Sequence, residues 1–155
     1  MLFRSCQVEH IGSMELQGFP DDKMYYTLVP VYEKKSRLFT PVDNHKVVMR
    51  PVISKKEACD LIDHMQEMQV FEIQNEKNRD TVFKEALKTG DCEELVRVIK
   101  TIYEKKQERK AQGKKVTAGD ERYFKLAEEH LYGELAIALG IEKDKVSSYI
   151  EKRIA

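Results

Sequence analysis

Tryptophan is absent from this 155-residue chain, cysteine occurs three times and proline four times, and 27 basic side chains are cancelled by 27 acidic ones. Each scarcity excludes something. A balanced chain has no general field that draws it to nucleic acid, so any such contact must come from local patches. Splitting the chain changes nothing: residues 1–53 carry seven Lys/Arg and six Asp/Glu, and residues 54–155 carry 20 and 21. Cys6, Cys59 and Cys92 are odd in number and far apart, with no CxxC pair. They fit reduced thiols packed as small hydrophobes. No apolar run approaches the roughly 18 residues that span a bilayer, and Met1-Leu2-Phe3-Arg4 lacks the apolar stretch of a secretory signal. The expectation is a cytoplasmic protein without membrane contact.

Catalytic signatures are missing as well. There is no glycine-rich phosphate loop, no HExxH, and no Ser, Cys or Thr beside a base in an interpretable motif. Carboxylate pairs such as Glu93-Glu94 and Glu128-Glu129 lie inside helical patterns, where a solvated face explains them. Cys6 and His10 fall on one predicted strand face, with His45, His64 and His130 scattered elsewhere, which is not the spacing of metal ligands. A non-enzymatic protein without catalytic residues, metal or cofactor is expected.

What the chain does have is a change of hydrophobic rhythm at Pro51-Val52-Ile53-Ser54. Before it, apolar and polar residues alternate in Met24–Tyr32, Arg37–Val42 and His45–Met49. After it they recur three and four apart, as in Ala58, Leu61, Ile62, Met65 and in Leu95, Ile99, Ile102. Period two belongs to half-buried strands and period 3.6 to amphipathic helices. The fold class is therefore α+β: a small antiparallel β domain over about residues 1–52, then a compact five-helix domain over 53–155.

Strands are predicted at Cys6–Ile11, Met24–Tyr32, Arg37–Val42 and His45–Met49, with Gly12–Asp22 as a loop. Pro30 cannot donate to a ladder and predicts an edge or a bulge. Tyr25, Tyr26, Tyr32 and Phe39 make the hairpin rich in aromatics, and an edge strand of this kind can extend a partner's sheet. Ser54-Lys55-Lys56-Glu57 is a capping box that opens a helix to about Met68. A second helix runs from Asn75 to Thr89 and stops at Gly90, and a third runs from Asp91 toward Gln112. A fourth extends from Thr117 to Leu139 before Gly140, and Asp144 caps a short fifth.

On the second helix Lys77, Lys84 and Lys88 fall at i, i+7 and i+11, along one side. Residues 105–115 hold Lys105, Lys106, Arg109, Lys110, Lys114 and Lys115 against one acid, Glu108. Such clusters neutralise phosphates without reading bases. The bland alternative is a solvated helix end, where cations also meet the backbone dipole favourably.

In order along about Cys6–Ile150 stand Tyr25-Tyr26-Thr27-Leu28, Arg37-Leu38-Phe39-Thr40-Pro41-Val42, and Lys88-Thr89-Gly90-Asp91 with Glu94-Leu95. Arg122-Tyr123-Phe124 and Gly133-Glu134-Leu135-Ala136 follow. This series resembles the CarD family of bacterial transcription regulators, whose polymerase-binding module also occurs in the transcription-repair coupling factor. The resemblance implies a Tudor-like N-terminal domain that binds the β subunit of RNA polymerase by sheet-edge pairing. It also implies a helical domain that touches promoter DNA through the minor groove and backbone, without sequence specificity, where the duplex begins to separate. By motif, Arg37–Val42 matches the polymerase-contacting strand, and Arg79 matches the family's arginine on the DNA-facing helix.

Three departures set this chain apart from many relatives. Glu76 stands where they place a tryptophan wedge. Met1–Ser5 replaces a Gly/Val-rich first strand, and Phe39 occupies a position that is often arginine. A strand missing from the barrel leaves a sheet edge that can pair two chains. The expected polymerase-binding residues are Arg37, Leu38, Phe39, Thr40, Pro41 and Val42, and the expected DNA-binding residues are Lys77, Arg79, Lys84, Lys88, Lys114 and Lys115. The alternative is a protein-only adaptor that keeps the polymerase contact and docks another protein on its helices.

Overall fold

A computed structural model describes residues 5–13, 23–46 and 48–155. Three antiparallel strands precede five helices, and contacts divide the chain into two units, Leu2–Arg50 and Pro51–Ala155. The change of rhythm in the sequence falls at this division.

In the first unit, β1 (Cys6–Ser13), β2 (Met24–Pro30) and β3 (Leu38–Pro41) form a sheet in the order β1-β2-β3. β1 runs two residues past its expected end, so Gly12 belongs to a strand rather than to the loop. The rest of the predicted loop, residues 14–22, lies outside the described residues. Pro30 is the last residue of the central strand, not an edge or a bulge. A strand end tolerates a missing N–H donor, whereas a strand interior does not. The irregularity sits instead between Val8 and His10 on β1. It places Cys6 opposite Pro30 and His10 opposite Thr27, three residues apart on β2 and hence on opposite faces. Cys6 and His10 therefore do not share a face. The expected fourth strand is not formed by His45, Lys46, Val48 or Met49, and Val47 lies outside the described residues. Tyr25, Thr27 and Pro30 are the buried residues of β2, a small core for a sheet of this size.

In the second unit, local chemistry sets most helix ends. Ser54 Oγ accepts from Glu57 N at 3.1 Å while Glu57 Oε2 accepts from Ser54 N at 2.7 Å, the reciprocal box that opens α1 (Lys55–His64). Asn75 Oδ1 accepts from Lys77 N at 3.0 Å and starts a 3-10 turn, Glu76–Asn78, that leads into α2 (Arg79–Thr89). Asp91 caps α3 (Cys92–Ala111) and Thr117 caps α4 (Ala118–Leu139). Gly90 and Gly140 end α2 and α4 at φ 64° and 67°, a left-handed conformation that glycine adopts without a Cβ clash. α5 (Val146–Ile154) follows a 3-10 turn, Lys143–Lys145, at whose start Glu142 stands, so Asp144 is not its cap. α1 ends at His64 rather than Met68, and the stretch that follows is bonded to α3. Lys100 Nζ donates to the Gln66 carbonyl at 2.8 Å and to that of Met68. Arg97 Nε donates to the Gln69 carbonyl at 3.0 Å, and Phe71 N donates to Thr101 Oγ1 at 2.9 Å.

One apolar cluster joins all five helices, with Phe83, Ile62, Ile102, Leu131, Leu135, Val96, Val98 and Val146 fully buried. Each such side chain contributes about 1.5–3 kcal/mol relative to exposure. Glu134 lies buried within α4, where its carboxylate accepts from Ile53 N at 3.2 Å and from Cys92 Sγ at 3.2 Å. It thereby ties the entry to the unit and the start of α3 to the central helix. A buried carboxylate needs such donors, and an apolar residue of the same size would leave Ile53 N unmatched.

Candidate functional site

The expected DNA-facing cations begin on α2, and the structure places them unequally. Arg79, the first residue of α2, is largely buried: its guanidinium is ion-paired with Asp120 in the first turn of α4 and with Glu76 Oε2 at 2.5 Å. Glu76 also accepts from Lys105 Nζ of α3 at 2.5 Å. The hydrogen bond from Lys105, and after it the one from Arg79, hold the Glu76 carboxyl below the usual carboxylate range. Asp120–Arg79–Glu76–Lys105 is thus a continuous chain of alternating charge that draws α4, α2 and α3 together. Where many relatives are expected to carry an apolar wedge, this chain carries the carboxylate of a clasp.

Lys84 is exposed, and Asp80 one turn earlier pairs with it at 2.6 Å. Their hydrogen bond raises the Lys84 ammonium and lowers the Asp80 carboxyl, which also accepts from the Tyr123 hydroxyl. The Tyr123 ring packs against Phe83 at a centroid distance of 5.7 Å, so this pair sits on the rim of the core. Lys77 and Lys88 are exposed on the same unit, with no such carboxylate among the described residues. Lys114 and Lys115 stand exposed in the link between α3 and α4, and are not brought together with the α2 lysines by any described contact.

Sequence reasoning missed the counter-charges. Asp80 with Lys84 is an i, i+4 pair and was legible from spacing. Asp120 with Arg79 joins two helices far apart in sequence, and no local pattern signals it.

In the sheet unit the expected polymerase-contacting residues line one edge. β3 pairs with β2 through Leu28↔Leu38, Thr27↔Phe39, Tyr26↔Thr40 and Tyr25↔Pro41, and no described strand lies on its other side. Leu38, Phe39 and Val42 are exposed at 40 %, 40 % and 42 %. Thr40 and Pro41 are half-buried, and Thr40 Oγ1 accepts from Asn44 Nδ2 at 3.1 Å. Arg37, just before β3, reaches across the sheet to β1 and pairs with Glu9 at 2.9 Å. Its charge is therefore partly satisfied within the unit.

Among the described residues no group of three or more His, Cys, Asp or Glu side chains is placed to hold a metal ion. No described helix is long and apolar enough to cross a membrane. A three-stranded sheet with no described strand beside β3, followed by a charged five-helix unit, makes an α+β protein. Residues 60–151, more than half of the chain, match the family model of the CarD C-terminal domain, and the chain belongs to the CarD family. That makes it a transcription-related protein, of a family of non-enzymatic transcription factors. A comparison with curated proteins finds no match.

Proposed function

We propose that this protein regulates transcription by holding RNA polymerase through its sheet and contacting promoter DNA, without sequence specificity, through its helical unit. The observation that carries the polymerase contact is β3, a sheet edge with exposed Leu38, Phe39 and Val42 and no described strand beside it. An edge offers unpaired backbone donors and acceptors to a strand of the polymerase β subunit, and the side chains on it supply selectivity. The first unit then acts as the Tudor-like polymerase-interacting domain, about residues 1–52, and residues 53–155 as the DNA-contacting one. No required cofactor enters this reading, which places the protein with the nucleoid in the cytoplasm.

The helical unit's part is electrostatic. With Glu76 engaged by Arg79 and Lys105, α2 has no apolar wedge at that position to lower the cost of unstacking a base step. What remains is attraction of lysines for phosphates, which stabilises whichever promoter state presents more phosphate to them. A shift between closed and open promoter complexes follows only from such a difference in affinity.

The test is co-purification of polymerase with the full chain. Arg37→Glu together with Phe39→Ser is expected to abolish it while the helical content stays unchanged. Retention of polymerase by that variant would show that the edge is not the tether. The same edge, or β1 on the other side, is a route to a homodimer, which sedimentation of the purified chain reports.

A second reading has a specific observation behind it. Arg79 and Lys84 are neutralised by Asp120, Glu76 and Asp80, which favours a protein-only adaptor whose helices dock another protein. DNA titration of the full chain at low salt separates the two, since an adaptor shows no salt-dependent binding.

A further inference from the structure

The most cation-rich surface of the helical unit lies not on α2 but on the far end of α3. Lys106, Lys110, Lys114 and Lys115 are exposed, and none of them is paired with a carboxylate among the described residues. The neighbouring Lys105 is spent on Glu76 at 2.5 Å, and on α2 Arg79 and Lys84 are likewise spent on acids. The tip therefore carries the densest run of uncompensated cations among the described residues of this unit, apart from Lys77 and Lys88.

That tip is ordered by its own backbone. Gly113 N donates to the Lys110 carbonyl at 3.0 Å and Lys114 N to the Arg109 carbonyl at 2.8 Å, the paired bonds of a Schellman turn. Arg109 Nε then donates to the Lys115 carbonyl at 2.9 Å and folds the link back on the last turn of α3. The backbone of Lys114 and Lys115 is held against the last turn of α3, so only their side-chain rotamers remain to be ordered when an anion binds.

The helix leading to the tip carries an exposed ring. Tyr103 is 54 % exposed. Tyr103, Lys106 and Lys110 fall within about 60° of one another around the helix, whereas Glu104 and Glu108 lie about 100° and 140° away from Tyr103. The stripe is about 10 Å long at 1.5 Å per residue. Lys106 and Lys110, four residues and about 6 Å apart along it, are spaced to meet neighbouring phosphates of one strand.

We propose that this tip is the chain's nucleic-acid contact: Lys106, Lys110, Lys114 and Lys115 engage successive phosphates of one strand, and Tyr103 stacks on an unpaired base. The inference rests on the promoter-DNA reading above and names the surface and the form of DNA it takes. Lysine ammoniums bind phosphate as point charges and read no sequence. An exposed aromatic ring adds a preference for a strand whose bases are already unstacked. A duplex that ends in an unpaired arm supplies both partners.

The test uses the full chain with two fluorescent probes, a blunt duplex and a fork bearing an unpaired arm, titrated over a range of salt. The quadruple variant K106Q/K110Q/K114Q/K115Q is expected to lose about 0.9 from the log–log salt slope for each phosphate contact removed. Y103A is expected to weaken fork binding roughly tenfold and leave the blunt duplex unchanged. An unchanged slope in the quadruple variant overturns the inference, even if its melting temperature drops, because the lysines then serve only the helix dipole. If K77Q/K84Q/K88Q removes the slope and the tip variant does not, the contact is on α2; the inference falls and the DNA reading stands. If the unmodified chain binds neither probe at low salt, both fall together. Loss of polymerase co-purification in the tip variant, with DNA binding intact, assigns the tip to a protein partner and overturns the inference.

Discussion

Arg79 at the start of α2 and Asp120 in the first turn of α4 form an ion pair whose side chains are 12 % and 7 % exposed. The two residues are far apart in sequence, yet they position α2 against α4 at the surface where a nucleic-acid contact is expected. The arginine that resembles the family's DNA-facing residue is thus a structural cation in this chain. Asp120 does double duty, since its N–H also donates to the capping Thr117 Oγ1 at 3.3 Å.

Asp120→Ala is expected to destabilise the helical unit by about 3 kcal/mol, the lower end for breaking a buried pair, because Glu76 still holds the guanidinium. The paired replacement Arg79→Met with Asp120→Leu is expected to cost far less than the two single changes added together, since no charge is left behind. Urea denaturation of the four proteins measures the coupling. Additive losses would mean that the pair is not an energetic unit.

Ser54→Ala removes one half of the box that opens α1 and is expected to cost about 1 kcal/mol. Glu57→Gln keeps an acceptor for Ser54 N and is expected to cost less. The shift in denaturation midpoint at constant slope reads both.

Stability is expected to fall on acidification. Hydrogen bonds from Arg153, from Lys105 and from Lys84 hold the carboxyls of Asp63, Glu76 and Asp80 below their ordinary values. A depressed folded-state value contributes stability above the ordinary value, and that contribution is lost as pH falls through the depressed one, here below about pH 4. Denaturation midpoints from pH 3 upward, compared with those of D63N/E76Q/D80N, check this; the variant's curve is expected to be flatter at the acid end.

His64 has the opposite sign. The hydrogen bond between its Nδ1 and the Asp60 carbonyl at 2.8 Å raises its imidazole above the ordinary 6.5, aided by the charges of Glu67, Asp60 and Asp63. Its contribution is fully present below 6.5 and is lost as pH rises through the folded-state value. His64→Gln is expected to remove the decline in stability between mildly acidic and mildly alkaline pH. If wild type and variant follow parallel curves there, the imidazole carries no such linkage.

Lys100→Met removes the donor that holds the Gln66 and Met68 carbonyls against α3. Amide exchange in residues 66–73 is expected to accelerate while α3 and α4 keep their protection. A uniform rise across the helices would instead mark global destabilisation.

Much of this architecture is legible residue by residue. Ser54, Asn75, Asp91 and Thr117 each accept a backbone N–H within three residues, and Gly90 and Gly140 end helices, so short-range rules find them. Other features depend on distant partners: beyond His64, Lys100 and Arg97 of α3 hold the Gln66, Met68 and Gln69 carbonyls. The shift on β1 that sends His10 to the face opposite Cys6 is a property of pairing with β2, which alternation along one strand does not encode. The segment that forms β3 was visible as a motif, but that no described strand lies on its far side is a fact about strand order.

By itself the sequence determined the two-part α+β organisation, the helix caps and the positions of the basic residues, because periodicity, capping and charge are local. The tertiary structure alone decided which of those charges remain available. Coulomb attraction depends on separation in space, and folding brings Asp120 to Arg79 and Glu76 to both Arg79 and Lys105 while it leaves the lysines at the end of α3 without a carboxylate among the described residues.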